Sequence, residues 1–134
     1  MQKVITISSS KRLEMIDIND EIEKIVKESK VKEGVCNIFC THATAAIAIN
    51  ENYDPNVCED FNEALAKLIP RGKWRHDSID GNADAHIKAA IIGPSETVPI
   101  KNGRLQLGQW QSIMFVELDG PRSNRNVIVT IIGE

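Results

Sequence analysis

No stretch of this chain is apolar for long enough to cross a bilayer, so a helical membrane protein is not expected. The opening residues, MQKVITISSSKRLEMIDI, carry acids early and lack the continuous apolar core of a secretory leader. There is no Cys-x-x-Cys pair. The three cysteines, Cys36, Cys40 and Cys58, are an odd number, which argues for reduced thiols and a cytoplasmic location. Basic charge is not in surplus either. Sixteen Lys and Arg against nineteen Asp and Glu give a net charge of -3, so neither nucleic acid nor an anionic membrane is an expected partner. A local basic patch for a phosphate remains compatible with this balance. Repeats, low-complexity tracts and linkers are also missing, and residues 1–134 read as one domain. At 134 residues a core can form without disulfides, and 42% hydrophobic residues argue against disorder.

What is present alternates between strand and helix patterns. KVITISSS is β-branched and alternating, and reads as a strand. In DINDEIEKIVKESK, the spacing of Ile18, Ile22, Ile25 and Val26 predicts one apolar helical face, with Gly34 as the stop. GVCNIFCTH and AAIAINE read as strands, either one long bent strand or a hairpin around Ala43–Thr44. Asp54-Pro55 is a helix start, a capping carboxylate followed by a proline in the first turn. Val57, Phe61, Leu65, Leu68 and Ile69 then recur at helical spacing until Pro70. A polar loop, RGKWRHDSIDGNA, precedes a short helix, ADAHIKAAI, which ends at Gly93. In the last third, TVPI and RLQLG flank Asn102-Gly103, the dipeptide suited to a tight hairpin turn. QSIMFVELDG and NVIVTIIGE read as two further strands joined by Gly120-Pro121 and the basic turn RSNR. Helices segregated from a mixed or antiparallel sheet predict an α+β fold.

The chain has only three histidines, His42, His76 and His86, each at an element boundary or in the polar loop. Three neutral imidazoles with an open position form the pattern of a catalytic Zn²⁺ site, and Asp84 or Asp77 could orient the rings. No HExxH is present, and individually satisfied histidines are the plain alternative. Glu51, at the end of AAIAINE, is either a general base or metal-bound carboxylate, or a solvated strand end. Arg71, Lys73 and Arg75 make the loop basic, either to fork a phosphate or as a solvated face. GPSET offers Ser95 and Thr97 with free amides as an anion nest, or as an ordinary turn. Gly108-Gln109-Trp110-Gln111, two amides flanking an indole, either lines a pocket for a flat ring or forms a bulge with Trp110 closing the core. Cys36 and Cys40, in an apolar run, read as core residues.

Three ordered segments, CTHATAAIAINENYDPNV, RHDSIDGNADAHIKAAIIGPSETVPI and NGRLQLGQWQSIMFVELDGPR, resemble the motifs of the YjbQ family. The match runs from about Cys40 to the terminal IIGE. Gln109 departs from the threonine expected there, which touches fine pocket chemistry. The resemblance implies a YjbQ-like α+β domain, a homotrimer and a weak thiamine-phosphate synthase activity, joining hydroxymethylpyrimidine pyrophosphate to thiazole phosphate. It places His42, His76, His86, Glu51, Asn82, Asp84, Lys88, Trp110 and Gln111 on motif positions. The resulting expectation is a site for a small, phosphorylated molecule. His42, His76 and His86 would hold a divalent metal, Zn²⁺ by the chemistry of its ligands. Glu51 and Asp84 would be catalytic, and Arg75, Asn82, Lys88, Ser95, Trp110 and Gln111 would bind substrate. The alternatives are a metal-dependent hydrolase with Glu51 or Asp84 as base, and a non-enzymatic trimer that binds a metal or metabolite.

Overall fold

Eight strands and three helices are arranged so that alternating side chains meet between two antiparallel sheets. The computed structural model describes residues 1–134. The strands are β1 (Gln2–Ile7), β2 (Glu14–Asp17), β3 (Glu33–Cys40), β4 (Ala45–Asn50), β5 (Ser95–Lys101), β6 (Arg104–Leu105), β7 (Ser112–Glu117) and β8 (Arg125–Gly133). The helices are α1 (Asn19–Ser29), α2 (Pro55–Leu68) and α3 (Ala83–Ile92), with a short 3-10 turn at Arg75–Ser78. One sheet has the order β1-β8-β3-β5-β6 and the other β2-β7-β4, with every pairing antiparallel. The expected α+β class is observed. No helix is long and apolar enough to cross a membrane.

The core follows from strand alternation. Val127, Val129 and Ile131 of β8, with Cys36, Ile38 and Cys40 of β3, face Ile47 of β4 and Ile113 and Phe115 of β7. Ile22, Ile25 and Val26 of α1 fill the same core, as their spacing predicts. The small sheet is covered on its other face too. There Ala46 and Val116 pack against Ala85 and Ala89 of α3, whose small side chains let helix and sheet approach closely. Burial on both faces explains why IMFVE in β7 is a continuous buried run instead of an alternating one.

Several details differ from the sequence expectations. α1 stops at Ser29, with Lys30 taking the left-handed cap at φ 61°, and Gly34 lies inside β3. Gly34 serves a different purpose: a Cβ there would meet the Ile132 carbonyl oxygen at 2.1 Å, so it permits close pairing with β8. β3 and β4 belong to different sheets, so they form neither a hairpin nor one strand. α2 starts as expected, Asp54 accepting from the Asn56 amide at 2.9 Å, yet none of its residues is buried. Val57, Phe61 and Leu65 are half-buried, with Phe61 against the small-sheet core, while Leu68 is 76% exposed.

The outer face of the large sheet is also uncovered and carries no charge over most of its width. Its rows run Val4–Ile128–Phe39–Ser95, Gln2–Thr130–Asn37–Thr97 and Ile132–Val35–Pro99. Val4 is 61% and Ile132 66% exposed. Only at one margin does a charged pair, Glu33 opposite Lys101, appear.

Candidate functional site

β4 and β7 run antiparallel and divide the expected site residues between two ends of the small sheet. Ala45 pairs with Glu117 at one end, and Asn50 pairs with Ser112 at the other. His42 precedes the first end. Glu51, Trp110 and Gln111 flank the second, about 20 Å away at roughly 3.3 Å per strand residue.

All three histidines gather at the first end. His76, on the 3-10 turn, meets His86 of α3 with ring centroids 5.0 Å apart and planes at 86°. His86 and His42 line one pocket of about 270 Å³ with Ala43, Ala45, Ala89, Ala90 and Pro94. The expected three-histidine metal centre is nevertheless not assembled within one chain: no group of three His, Cys, Asp or Glu side chains is placed to hold an ion. His42 Nε2 accepts the Asn126 amide at 2.8 Å. That nitrogen is engaged, and Nδ1 is the one left to the ring for any other partner. Burial and the nearby Arg125 charge lower the His42 pKa, which keeps the ring neutral and suits this acceptor role. The 5.0 Å centroid separation of His76 and His86 is about what two imidazoles on one ion would show at Zn–N of about 2.1 Å. His76 Nε2 lies out of solvent without a hydrogen bond, although the ring is partly exposed, and Asp80 stands 3.6 Å away.

The carboxylates expected to orient these rings are engaged elsewhere. Asp84, fully buried, accepts from Arg12 Nη1 at 3.2 Å and Nη2 at 3.0 Å, and from Lys88 Nζ at 3.0 Å. Burial pushes its pKa up, but the Arg12 and Lys88 bonds outweigh it and the net shift is downward. Lys88 is 1% exposed and lines none of the described pockets, so its ammonium serves this buried triad. Asp77 accepts the amides of Trp74 and Ala83 at 2.9 and 3.0 Å, joining the 3-10 turn to α3. Those bonds hold its pKa below the ordinary value.

The remaining expected residues are dispersed. Arg75 is exposed on the 3-10 turn. Ser95 begins β5, and its Oγ accepts from Asn37 on the outer face of the large sheet, as does Thr97, so GPSET is strand and not an anion nest. Trp110 is exposed in a turn, edge-on to Tyr53 at 5.5 Å, and does not close the core. Gln111 closes that turn by accepting the Gly108 amide at 2.8 Å. Glu51 is half-buried beside Asn52, whose amide donates to Asp17 at 2.8 Å. Asn82 precedes α3 and donates to Asp119 at 2.8 Å.

Sequence reasoning passed over the residues that frame His42. Arg125, Glu117 and Thr44 form a buried network against it, and Arg122 pairs with Asp119 at 3.0 Å. The signal was the basic turn RSNR after Gly120-Pro121, which places two arginines three residues apart.

Comparison with known proteins gives one consistent answer. The family model for UPF0047 protein YjbQ-like matches residues 3–134. A UPF0047 protein of Methanocaldococcus jannaschii is 47% identical over 96% of this chain and 91% of its own length. UPF0047 protein YugU of Bacillus subtilis is 41% identical over 99% of this chain and 100% of its own. A solved YbjQ-like protein of Sulfolobus solfataricus P2 superposes with a TM-score of 0.97 at 41% identity, covering 100% of this chain and 97% of that one. With its sequence motifs, sheet order and histidine-lined end all placed, the chain belongs to the YjbQ-like UPF0047 family.

Proposed function

We propose that this protein works in the cytoplasm as a homotrimer that binds a small phosphorylated molecule beside its histidines, and that thiamine-phosphate synthesis is the reaction to assay. The observation that carries the reading is the convergence of His42, His76 and His86, far apart in the chain, on one end of the small sheet. Joining a pyrimidine pyrophosphate to a thiazole phosphate requires neutralising charge on departing pyrophosphate. In this proposal Zn²⁺ is held by His76 and His86, completed from outside the single chain, and would supply that neutralisation. The unpartnered, buried His76 Nε2 supports this assignment.

Two surfaces support self-association. The outer face of the large sheet is uncharged across three rows, and α2 leaves its stripe only half-buried with Leu68 exposed. An isolated monomer rarely exposes such contiguous surface without a partner for it. Glu51, Trp110 and Gln111 enter the proposal as residues of a neighbouring copy, because β4 keeps them away from the histidines of their own chain.

Purified protein is tested with hydroxymethylpyrimidine pyrophosphate and thiazole phosphate, reading thiamine phosphate and pyrophosphate formed. Turnover that is lost in His86→Ala and suppressed by a chelator supports the proposal. Turnover no faster than a protein-free blank overturns the enzymatic reading. Metal analysis of His76→Ala and His86→Ala reads the ion directly, and unchanged zinc content in both removes them as ligands. Phe39→Glu, placed in the uncharged face, is expected to give monomers by light scattering; an unaltered trimer would put the interface elsewhere.

A further inference from the structure

His42 is a wall between two unlike compartments. On one side lies the largely apolar pocket shared with His86. On the other lies a pocket of about 240 Å³ lined by His42, Arg122, Ser123, Asn124 and Arg125, with no apolar residue at all. We propose that this second compartment is a phosphoryl-binding subsite, formed by the turn Arg122–Arg125 and the imidazole of His42. The inference deepens the reading of a phosphorylated ligand given above and does not require turnover or a metal.

The donors are fixed before any ligand arrives. The Arg125 side chain is 6% exposed, and its Nε and Nη2 donate to Glu117 and Thr44. Its Nη1 has no partner in the protein, and Arg125 is one of the residues that line the compartment. Arg122 repeats the arrangement. Its Nε donates to the Asp119 carbonyl and its Nη2 to the Asp119 carboxylate, each at 3.0 Å, leaving Nη1 unengaged. A guanidinium held by two nitrogens loses little further freedom when the third meets an anion. His42 contributes through its tautomer. Because Nε2 accepts the Asn126 amide, the proton of the neutral ring sits on Nδ1, which then donates. The amides of Ser123 and Asn124 engage no acceptor within the chain.

These groups are all donors, and they outnumber the two oxygens of a carboxylate. A phosphoryl group, with three terminal oxygens, matches them better. Glu117 and Asp119 offset the formal charge of the two arginines, so the compartment offers aimed hydrogen bonds more than bare positive charge. That favours a phosphoryl group over general attraction for anions, and the neighbouring apolar pocket sets where the rest of the molecule lies.

The test uses the full chain and inorganic phosphate, titrated at constant ionic strength and followed by thermal unfolding and ³¹P line width. Wild type is expected to show a saturable rise in unfolding temperature, as ligand binding to the native state requires. Arg122→Gln, at a half-exposed side chain, should weaken the apparent affinity at least tenfold, each protein being compared with its own phosphate-free transition. Arg104→Gln, exposed on β6 and outside every proposed site, should leave the affinity unchanged. No saturable effect in wild type, wild-type affinity in Arg122→Gln, or loss in Arg104→Gln would each overturn the subsite. Because nothing in this measurement depends on turnover, a protein that binds phosphate yet makes no thiamine phosphate would retain the subsite and lose only the enzymatic proposal.

Discussion

Arg125 clasps Glu117 through two guanidinium nitrogens, Nε to Oε1 at 3.0 Å and Nη2 to Oε2. The same carboxylate accepts the Ser9 hydroxyl at 2.7 Å and the amides of Leu118 and Asp119 at 3.1 Å. One buried anion therefore ties the end of β7, the start of β8 and the turn after β1. Glu117→Gln keeps the shape but leaves Arg125 charged, buried and without its counterion. It should destabilise the fold by about 3–5 kcal/mol, the usual cost of breaking a buried pair. Urea unfolding measures this, and a loss below about 1 kcal/mol would assign the pair no more weight than an exposed one.

Acid should loosen the fold through two carboxylates. Burial raises the pKa of both Glu117 and Asp84, but their hydrogen bonds to Arg125 and Ser9, and to Arg12 and Lys88, more than reverse it. A carboxylate depressed in the folded state contributes stability that is complete above its unfolded pKa, near 4, and is lost as pH falls through the folded value. Unfolding free energy should accordingly be nearly flat from pH 7 to about 5 and fall steeply below about 4. Asp84→Asn should be less stable at pH 7 and less sensitive to acid. A flat wild-type profile down to pH 3 would contradict this account.

Gly120 lies where no side chain fits. A Cβ there would stand 2.1 Å from the Lys11 carbonyl oxygen and 2.8 Å from Ser9 Oγ. The first neighbour is backbone, held by the Gly120 amide's own bond to Arg12 at 3.0 Å, and cannot simply rotate away. Gly120→Ala should cost about 1–3 kcal/mol, as overpacking does. Unchanged urea midpoints would mean that the loop shifts freely.

The thiols should react in a fixed order. Burial pushes Cys36 up to about 11 and raises Cys40 and Cys58 too, but Cys58 alone is only half-buried and reachable by reagent. Thiolate is the reacting form, so native protein at pH 8 should be alkylated at Cys58 first, with Cys36 and Cys40 protected until unfolding. Mass spectrometry locates the label, and early modification of Cys36 would show that the core opens there.

Features set by neighbouring residues were readable from the chain. The turn at Asn102-Gly103 has φ of 53° and 75°, the positive values its dipeptide suggests, and Asp54-Pro55 starts α2. Features set by distant partners were not. Nothing near Gly34 announces that it must admit a β8 carbonyl, and nothing near Lys30 marks the left-handed cap. Asp84 reads as a base because His86 follows it, but its partner Arg12 is 72 residues earlier. The site divided in the same way: His42, His76 and His86 lie at one end of the small sheet, while β4 sets Glu51 and Trp110 at the other.

The position of β8 has a consequence for how the chain is made. In the large sheet it lies between β1 and β3, pairing Thr130 with Gln2 on one side and Asn37 on the other. During synthesis, β1 and β3 emerge long before residues 125–133 exist to separate them. Until then both present open edges, and direct pairing between them would have to be undone for β8 to enter. Contacts across so many residues are slow to form, and unpaired edges invite association with other chains. Nascent protein is therefore most exposed to aggregation until β8 has emerged, and insertion of β8 is the step that commits the large sheet to its final order.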